Sequence, residues 1–274
     1  MPGISTLHHS PAVSDRPAFF PAATGKRPVF LSRDLYGFVP AGFSGEPAPG
    51  VLKRYQCIRA GSVAALAGPP SLRLPVRNRV RHALGKLRTY QRVLEEVMRR
   101  TPVLPARFGS RLPDRSTALR LLSRNEDRLT RAIATYGHLL QLELRVSGPR
   151  VEPGVGSRIL AAREHIRLEL KNLCLAMQER TDASAGTLLG LTMLIRPFDE
   201  ARLDAALARL DGEFGGWLRF HCIGPLPPCN FIRAAVERSG NGASGWTLNL
   251  NSTLPGAAWP PILNPDFAQV RGAA

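Results

Sequence analysis

A helix-forming segment that ends abruptly at a proline constrains the fold of this chain more than any other feature. Between Arg79 and Arg100 apolar residues recur at helical spacing with arginines between them, which predicts an amphipathic helix with a basic outer face. Pro102 ends this helix, and the sequence VLPARFG that follows predicts a short strand. Because Pro105 cannot donate a hydrogen bond to a neighbouring strand, we expect this strand at a sheet edge or a bulge.

Strand and helix patterns alternate along the rest of the chain. VFLSRDLYGFVPAG and Tyr55 to Ile58 predict two strands, and Ser62 to Gly68 predicts one short helical turn with Ser62 as its N-cap. From about residue 139 to 223 the predicted order is strand, helix, strand, helix, strand, which is one strand short of a ferredoxin-like unit. These patterns predict an α+β fold.

Length and composition predict two domains between two tails. The 274 residues exceed one average domain, and Gly148 to Gly156 has the composition of a linker. We predict an N-terminal α+β domain over residues 31–146 and a C-terminal domain over residues 147–238. Residues 1–30, with five prolines, are predicted to form a disordered N-terminal tail, and residues 239–274, rich in Gly, Asn and Pro, a flexible C-terminal tail.

Positive charge is concentrated in one part of the chain. The formal net charge is +16, and residues 73–131 hold 16 Lys and Arg against 5 Asp and Glu. Such a stretch favours an acidic partner, nucleic acid or an anionic surface, although arginines that only solvate helix faces would give the same count. We predict that the basic helices bind an acidic protein surface, with five first candidates: Arg81, Arg88, Arg92, Arg120 and Arg124.

The sequence shows no constellation of catalytic or metal-binding residues. His221 stands beside Cys222, with Cys229 beyond, but zinc sites generally need four ligands in closely spaced pairs. Four cysteines without a secretory signal point to a reducing cytoplasm, and no apolar run reaches the length that spans a bilayer. We therefore predict a cytoplasmic protein with no catalytic residue, no cofactor and no metal.

Four stretches, taken in order, resemble the gas vesicle protein F/L family. RDLYGFVPAG is similar to its opening strand and RYQCIRAGSVAALAG to its second strand and the turn that follows. LRTYQRVLEEVMRRTPVLPARFGSRLPDRSTALRLL resembles its most distinctive segment, and GPLPPCNFI its terminal Gly-Pro-x-Pro-Pro turn. In that turn this chain departs from the family pattern of Trp and an aromatic followed by Ser, since it carries Leu226, Cys229 and Asn230.

The resemblance implies a ferredoxin-like C-terminal domain and a non-catalytic function in gas vesicle assembly. The implied partners are the hydrophobic shell subunit and other gas vesicle accessory proteins, without a membrane. We predict that the strand from Val103 to Phe108 adds to a strand of the shell subunit, with Leu104 and Phe108 as the anchoring contacts.

Two other classes of function compete with this interpretation. The basic stretch and the ferredoxin-like order also suit a nucleic-acid-binding module, but the strands lack the aromatic residues that stack on bases, so we do not expect nucleic acid as a partner. The third class is an enzyme without a recognisable motif, which a bound metal or cofactor in the purified protein would reveal.

Overall fold

An antiparallel sheet of five strands forms the first part of the fold. The structure, a computed structural model, describes residues 32–44, 55–71, 79–148, 156–180, 186–238 and 246–254. The predicted N-terminal tail lies outside these residues. The strands are β1 (Ser32–Pro40), β2 (Gln56–Ala60), β3 (Val63–Ser71), β4 (Leu104–Pro105) and β5 (Arg111–Leu112). They are ordered β2-β3-β1-β4, and β5 also pairs with β1.

Helices cover both faces of this first sheet. Helix α1 (Arg79–Met98) packs Val93, Leu94 and Val97 against one face, where β3 presents Ala64 and Leu66. Helices α2 (Arg115–Arg124) and α3 (Glu126–Tyr136) pack against the opposite face, where the alternate residues of β3 point. The first sheet is therefore the middle layer of three.

Strand β3 corrects the sequence prediction of a helical turn between Ser62 and Gly68. Residues 63–68 are buried, and Val63 to Ala67 pair with both β1 and β2. A strand that is covered on both faces needs apolar residues at every position, so the alternation that normally reveals a strand is absent here. Ser62 and Gly68 only flank or end this run.

The second sheet has the ferredoxin-like βαββαβ order. Its elements are β6 (Leu140–Ser147), α4 (Gly156–Lys171), β7 (Ala176–Glu179), β8 (Thr187–Ile195), α5 (Glu200–Phe214) and β9 (Arg219–Leu226). The strand order is β7-β8-β6-β9, with every neighbouring pair antiparallel. Helices α4 and α5 cover one face through Ile166, Leu170, Leu203 and other side chains of a shared core. The α+β prediction is confirmed, and β7 is the strand that the sequence prediction lacked.

A C-terminal hairpin completes the first core. Strands β10 (Ile232–Arg238) and β11 (Trp246–Ser252) pair antiparallel, and Ala234 makes a parallel bridge to Ala106 next to β4. Leu248 and Leu250 are buried in the core beneath the first sheet. The described part of the predicted flexible tail, residues 246–254, is thus mostly a strand, which corrects that prediction. The division of the chain at residue 147 stays a prediction.

The helices of the described residues lack the features of a membrane-spanning segment. None of them combines the length and the apolar character needed to cross a bilayer.

Candidate functional site

The predicted anchoring strand lies inside the fold, not at a free edge. Leu104 pairs with Phe38 of β1 and is fully buried. The backbone N–H of Ala106 donates to the carbonyl of Tyr36 at 2.9 Å. On the other side, the N–H of Arg107 donates to the carbonyl of Ala234 at 2.7 Å. The prediction that Leu104 anchors a partner at an edge strand is therefore wrong, because β1 and β10 already occupy both sides of the segment.

Phe108, the second predicted anchor, does reach the surface. Its side chain is 42% exposed, and its ring meets the ring of Tyr90 edge to face with 5.5 Å between centroids. The turn that holds it is closed by a hydrogen bond from the N–H of Ser110 to the carbonyl of Arg107. Gly109 adopts a φ of 86°, which favours glycine at that position. Phe108 is thus presented by a fixed loop.

Tyr90 joins two of the four segments that carry the family resemblance. Its hydroxyl donates to the carbonyl of Ala106 in the VLPARFG segment and lies 3.6 Å from the sulfur of Cys229 in the GPLPPCNFI turn. Burial raises the pKa of Tyr90, and burial raises the pKa of Cys229 to about 11. Both groups keep their protons at neutral pH, so their arrangement serves packing and hydrogen bonding.

The segment GPLPPCNFI, residues 224–232, is called the proline-rich turn, and it is hydrogen-bonded to the second sheet. The side-chain oxygen of Gln141, on β6, accepts a hydrogen bond from the N–H of Asn230 at 3.0 Å, and Gln141 is 3% exposed. Gly224 has a φ of 151°, and a Cβ there would lie 3.0 Å from the carbonyl oxygen of Gln141. Close approach and backbone conformation both require glycine at this position. The turn therefore holds a fixed place between the two sheets.

These segments enclose a cleft of about 470 Å³ between helix α1, the β4 segment, the turn and the uncovered face of the second sheet. Part of its lining is apolar and part is charged. The apolar part includes Leu87, Tyr90, Leu94, Phe108, Leu226 and Pro227. The charged part consists of Arg107, Arg180 and Arg233 with Glu95 and Glu143. A cleft of this size accepts a few side chains of a partner and not a whole protein face.

Two of the cleft arginines are already paired with carboxylates. Arg180 donates to Glu143 at 2.8 Å, and Arg107 donates to Glu237 at 3.2 Å. Arg233 extends from β10 into the same cleft. Apolar contact supplemented by charge is the chemistry that this arrangement supports, since the two titratable groups at its centre, Tyr90 and Cys229, stay neutral.

The five predicted arginines do not form one surface. Arg88 and Arg92 are exposed on α1, whereas Arg120 and Arg124 are exposed on α2, on the opposite side of the first sheet. Arg120 also donates to the hydroxyl of Thr117 at 3.0 Å. Arg81 lies in α1 where side chains are outside the described residues. The prediction that these arginines bind an acidic surface stays a prediction, and because the two helices pack against different faces of one sheet, the arginines of α1 and those of α2 belong to separate surfaces.

Cys222 and Cys229, which lie before and within the proline-rich turn, have different surroundings. Cys222 is exposed on β9 and Cys229 packs at the edge of the α1 core, and both are free thiols. Within the described ranges, no three His, Cys, Asp or Glu side chains are placed to hold a metal.

The sequence prediction missed Tyr90, Gln141 and Arg233. Tyr90 lies within the longest stretch of the family resemblance, so a signal for it was present. Gln141 and Arg233 have no such signal: Gln141 contacts Asn230, which is 89 positions away in the chain, and Arg233 meets the other cleft residues only in the folded protein.

Comparisons with known proteins agree on one family. Residues 35–152 and 141–233 match the family model described as gas vesicle synthesis protein GvpL/GvpF. The fold is similar to the crystal structure of the gas vesicle protein GvpF from Anabaena sp. PCC7120, at 17% identity and a TM-score of 0.56, covering 73% of this chain and 94% of that one. It is also similar to GvpF from Microcystis aeruginosa, at 16% identity and a TM-score of 0.54, covering 73% and 98%. No curated protein sequence gives a significant match.

Proposed function

Because this chain belongs to the gas vesicle synthesis protein GvpL/GvpF family, we propose that it is a non-catalytic accessory protein of gas vesicle assembly. It binds the hydrophobic shell subunit in the cytoplasm and acts at the vesicle together with other accessory proteins. A shell that excludes water is built from subunits with large apolar faces, and such faces aggregate unless they are covered. An accessory protein that delays this aggregation gives the growing shell usable subunits.

One observation carries the proposal: two of the four segments that resemble the family meet at the cleft around Tyr90. Phe108 comes from one segment and Leu226 and Pro227 from the other, and all three line the cleft beside Leu87 of α1. We propose that this cleft holds an apolar segment of the shell subunit. This site replaces the edge-strand pairing expected from the sequence.

Co-expression of the shell subunit with this protein tests the proposal. The native protein should raise the soluble fraction of the shell subunit, and Phe108→Asp should remove most of that gain, because a carboxylate would replace the apolar contact. Leu160→Asp is the matched control, since Leu160 is 63% exposed on helix α4 and does not line the cleft. No gain with the native protein, or an equal loss in both variants, would refute the proposal.

The arginines allow a second test that separates the two sides of the first sheet. We propose that Arg88 and Arg92, on the helix that forms one wall of the cleft, assist capture of an acidic surface. The pair Arg88→Glu and Arg92→Glu should weaken shell-subunit binding more than the pair Arg120→Glu and Arg124→Glu. Binding should also weaken as salt rises, because exposed charges are screened beyond roughly 10 Å at 0.1 M salt.

The nucleic-acid alternative has a direct outcome in the same experiments. If the protein binds single-stranded or duplex RNA at physiological salt and leaves the shell subunit insoluble, it is a nucleic-acid-binding module.

A further inference from the structure

Strand β9 is an exposed edge of the second sheet. The order β7-β8-β6-β9 leaves β6 as its strand partner within the described chain. Six of its eight residues are exposed. In an antiparallel sheet, every second residue of an edge strand directs its N–H and C=O away from its partner, where a strand of another protein can pair with them.

The usable part of this edge is short and well defined. The register with β6 runs from Ser147↔Arg219 to Glu143↔Ile223, and Pro225 beyond it has no N–H to donate. The free ladder is therefore Arg219 to Ile223. The other edge of this sheet, β7, spans four residues, and its Gln178 side chain already bonds to Thr253 at 2.9 Å. Strand β9 is the better template for pairing.

Positive charge lies along the uncovered face beside this edge. His221 lies directly opposite Arg145 on the neighbouring strand, and Arg219 is two residues before His221 in β9. All three side chains therefore point to the same face of the sheet. This is the face that α4 and α5 leave open, because Leu144 and Val146 point to the helices. Glu143, on the same face, is paired with Arg180 at 2.8 Å, which leaves Arg145 and Arg219 as excess charge.

A shallow depression and an apolar side chain complete the surface. Arg145, Arg180, Gly190, His221 and Ile223 line a depression of about 100 Å³ on this face. Ile223 is 47% exposed at the end of the free ladder. An added strand would lie next to Arg219 at one end of the free ladder, with Arg145 one strand further away, and next to the apolar side chain of Ile223 at the other end.

We propose that β9 accepts an extended acidic segment of a partner protein as a fifth strand of the second sheet. Acidic residues of that segment lie opposite Arg219 and His221, and an apolar residue lies opposite Ile223, because directly opposed Cβ atoms are about 5 Å apart. A second copy of this chain is disfavoured as the occupant, since each copy carries a net charge of +16 and two copies repel each other. This surface is separate from Phe108 and the apolar side of the cleft, and it does not depend on the proposed binding of the shell subunit.

A short synthetic peptide tests the proposal on the full-length protein. The probe is a fluorescein-labelled peptide of Glu and Val in which two Glu residues lie opposite Arg219 and His221 and a Val lies opposite Ile223, measured by fluorescence anisotropy. A peptide of equal length with Lys in place of Glu is the charge control. The Glu/Val peptide should bind and the Lys/Val peptide should not. The double variant Arg145→Glu, Arg219→Glu should weaken binding by about tenfold or more, whereas Arg120→Glu, Arg124→Glu on helix α2 should change it by less than about threefold.

Backbone pairing has a readout that charge attraction alone does not have. Two further Glu/Val peptides carry N-methyl groups on alternate amides, one on the even set and one on the odd set. Strand addition requires that one set abolishes binding and the other is tolerated, because only one set of amides faces β9. Equal binding of both methylated peptides, or no binding of the unmethylated peptide, would overturn the proposal. Binding of a single-stranded RNA oligonucleotide that is lost in the Arg145→Glu, Arg219→Glu variant would also overturn it.

Discussion

The two sheets of this protein differ in how completely their faces are covered. Helices lie on both faces of the first sheet, with α1 on one side and α2 and α3 on the other. The second sheet has helices on one face only. Its other face is covered near Leu194, which packs into the core formed by the first sheet with helices α2 and α3. The same face is open near Arg145 and His221. The faces of the first sheet are therefore buried, whereas the open part of the second sheet can contact another protein.

This difference explains how well each sheet could be predicted from the sequence. Strand β6 reads LQLELRVS, and its alternation reflects one face toward helices and one face partly toward solvent. Strand β3 reads VAALAGPPS, a continuous run of small apolar residues, because both of its faces are covered. The strand in the open sheet was recognised, and the strand in the covered sheet was mistaken for a helical turn.

The largest expected effect comes from truncating a side chain in the covered sheet. Leu104→Ala should lower the free energy of unfolding by about 2–5 kcal/mol, because it leaves a cavity in a fully buried core. Phe108→Ala, four residues along at the surface, should cost clearly less. Urea denaturation measures both. Equal stability of the two variants would mean that β4 is not held between β1 and β10. The same burial predicts that Leu104→Asp unfolds the protein, so only Phe108→Asp suits binding experiments.

Two glycines give a matched comparison of the covered and the open sheet. A Cβ at Gly37 on β1 would lie 2.7 Å from the carbonyl oxygen of Leu104, and that backbone cannot move away. Gly37→Ala should cost about 1–3 kcal/mol through overpacking. At Gly190 on β8 the nearest atom is the Cβ of Arg180 at 3.3 Å. Gly190→Ala should change stability by less than about 1 kcal/mol, because the loss of unfolded-state freedom offsets the tight contact. Thermal melts of both variants check the difference, and a larger loss at Gly190 would contradict it.

Sequence patterns predicted the long periodic elements and missed two strands. Helix α1 and its end at Pro102 follow from local periodicity. Strand β11 reads WTLNLNS, which alternates as a strand should, but it follows a Gly- and Asn-rich stretch and was included in the predicted flexible tail. Strand β7 has only four residues, too few for a periodic pattern to be recognised.

The candidate site was predictable in part for a similar reason. Phe108 was identified as an apolar residue at the end of the predicted edge strand, and the structure places it at the cleft. Leu104 was wrongly predicted to lie at a sheet edge. The proline beside it lacks an N–H to donate, but a strand that contains a proline can still pair with a neighbour, and Pro105 does pair with Gly37 of β1. The arginines were grouped by position along the chain, and the sequence does not tell which face of a sheet each helix covers.

Tyr90 and Tyr55 both have buried hydroxyl groups, and the two residues differ in whether the hydroxyl has a hydrogen-bond partner. The buried hydroxyl of Tyr90 donates to the carbonyl of Ala106, so Tyr90→Phe should cost about 1–2 kcal/mol by leaving that carbonyl unpaired. The hydroxyl of Tyr55 is also buried and has no hydrogen-bond partner among the described residues. Tyr55→Phe should therefore be neutral or stabilising. Chemical denaturation of both variants checks the pair, and a cost for Tyr55→Phe would reveal a partner for its hydroxyl.

The smallest expected effect is a dependence on alkaline pH that originates at the cleft. Burial raises the pKa of the Cys229 thiol to about 11, from 9.0 for a free thiol, so the folded protein holds this proton over a pH range where the unfolded chain has lost it. Stability from this group is complete below about pH 9 and declines as pH rises toward about pH 11. Between about pH 8 and about pH 10 the decline should be about 1 kcal/mol. Cys229→Ala should remove that part of the decline, although its stability at neutral pH is slightly lower. Burial raises the pKa of Cys222 on strand β9 as well, but by less, so Cys222→Ala is the control and should retain more of the wild-type pH dependence than Cys229→Ala. If urea denaturation gives the same pH profile for wild type and Cys229→Ala, the thiol is not buried against Tyr90 in solution.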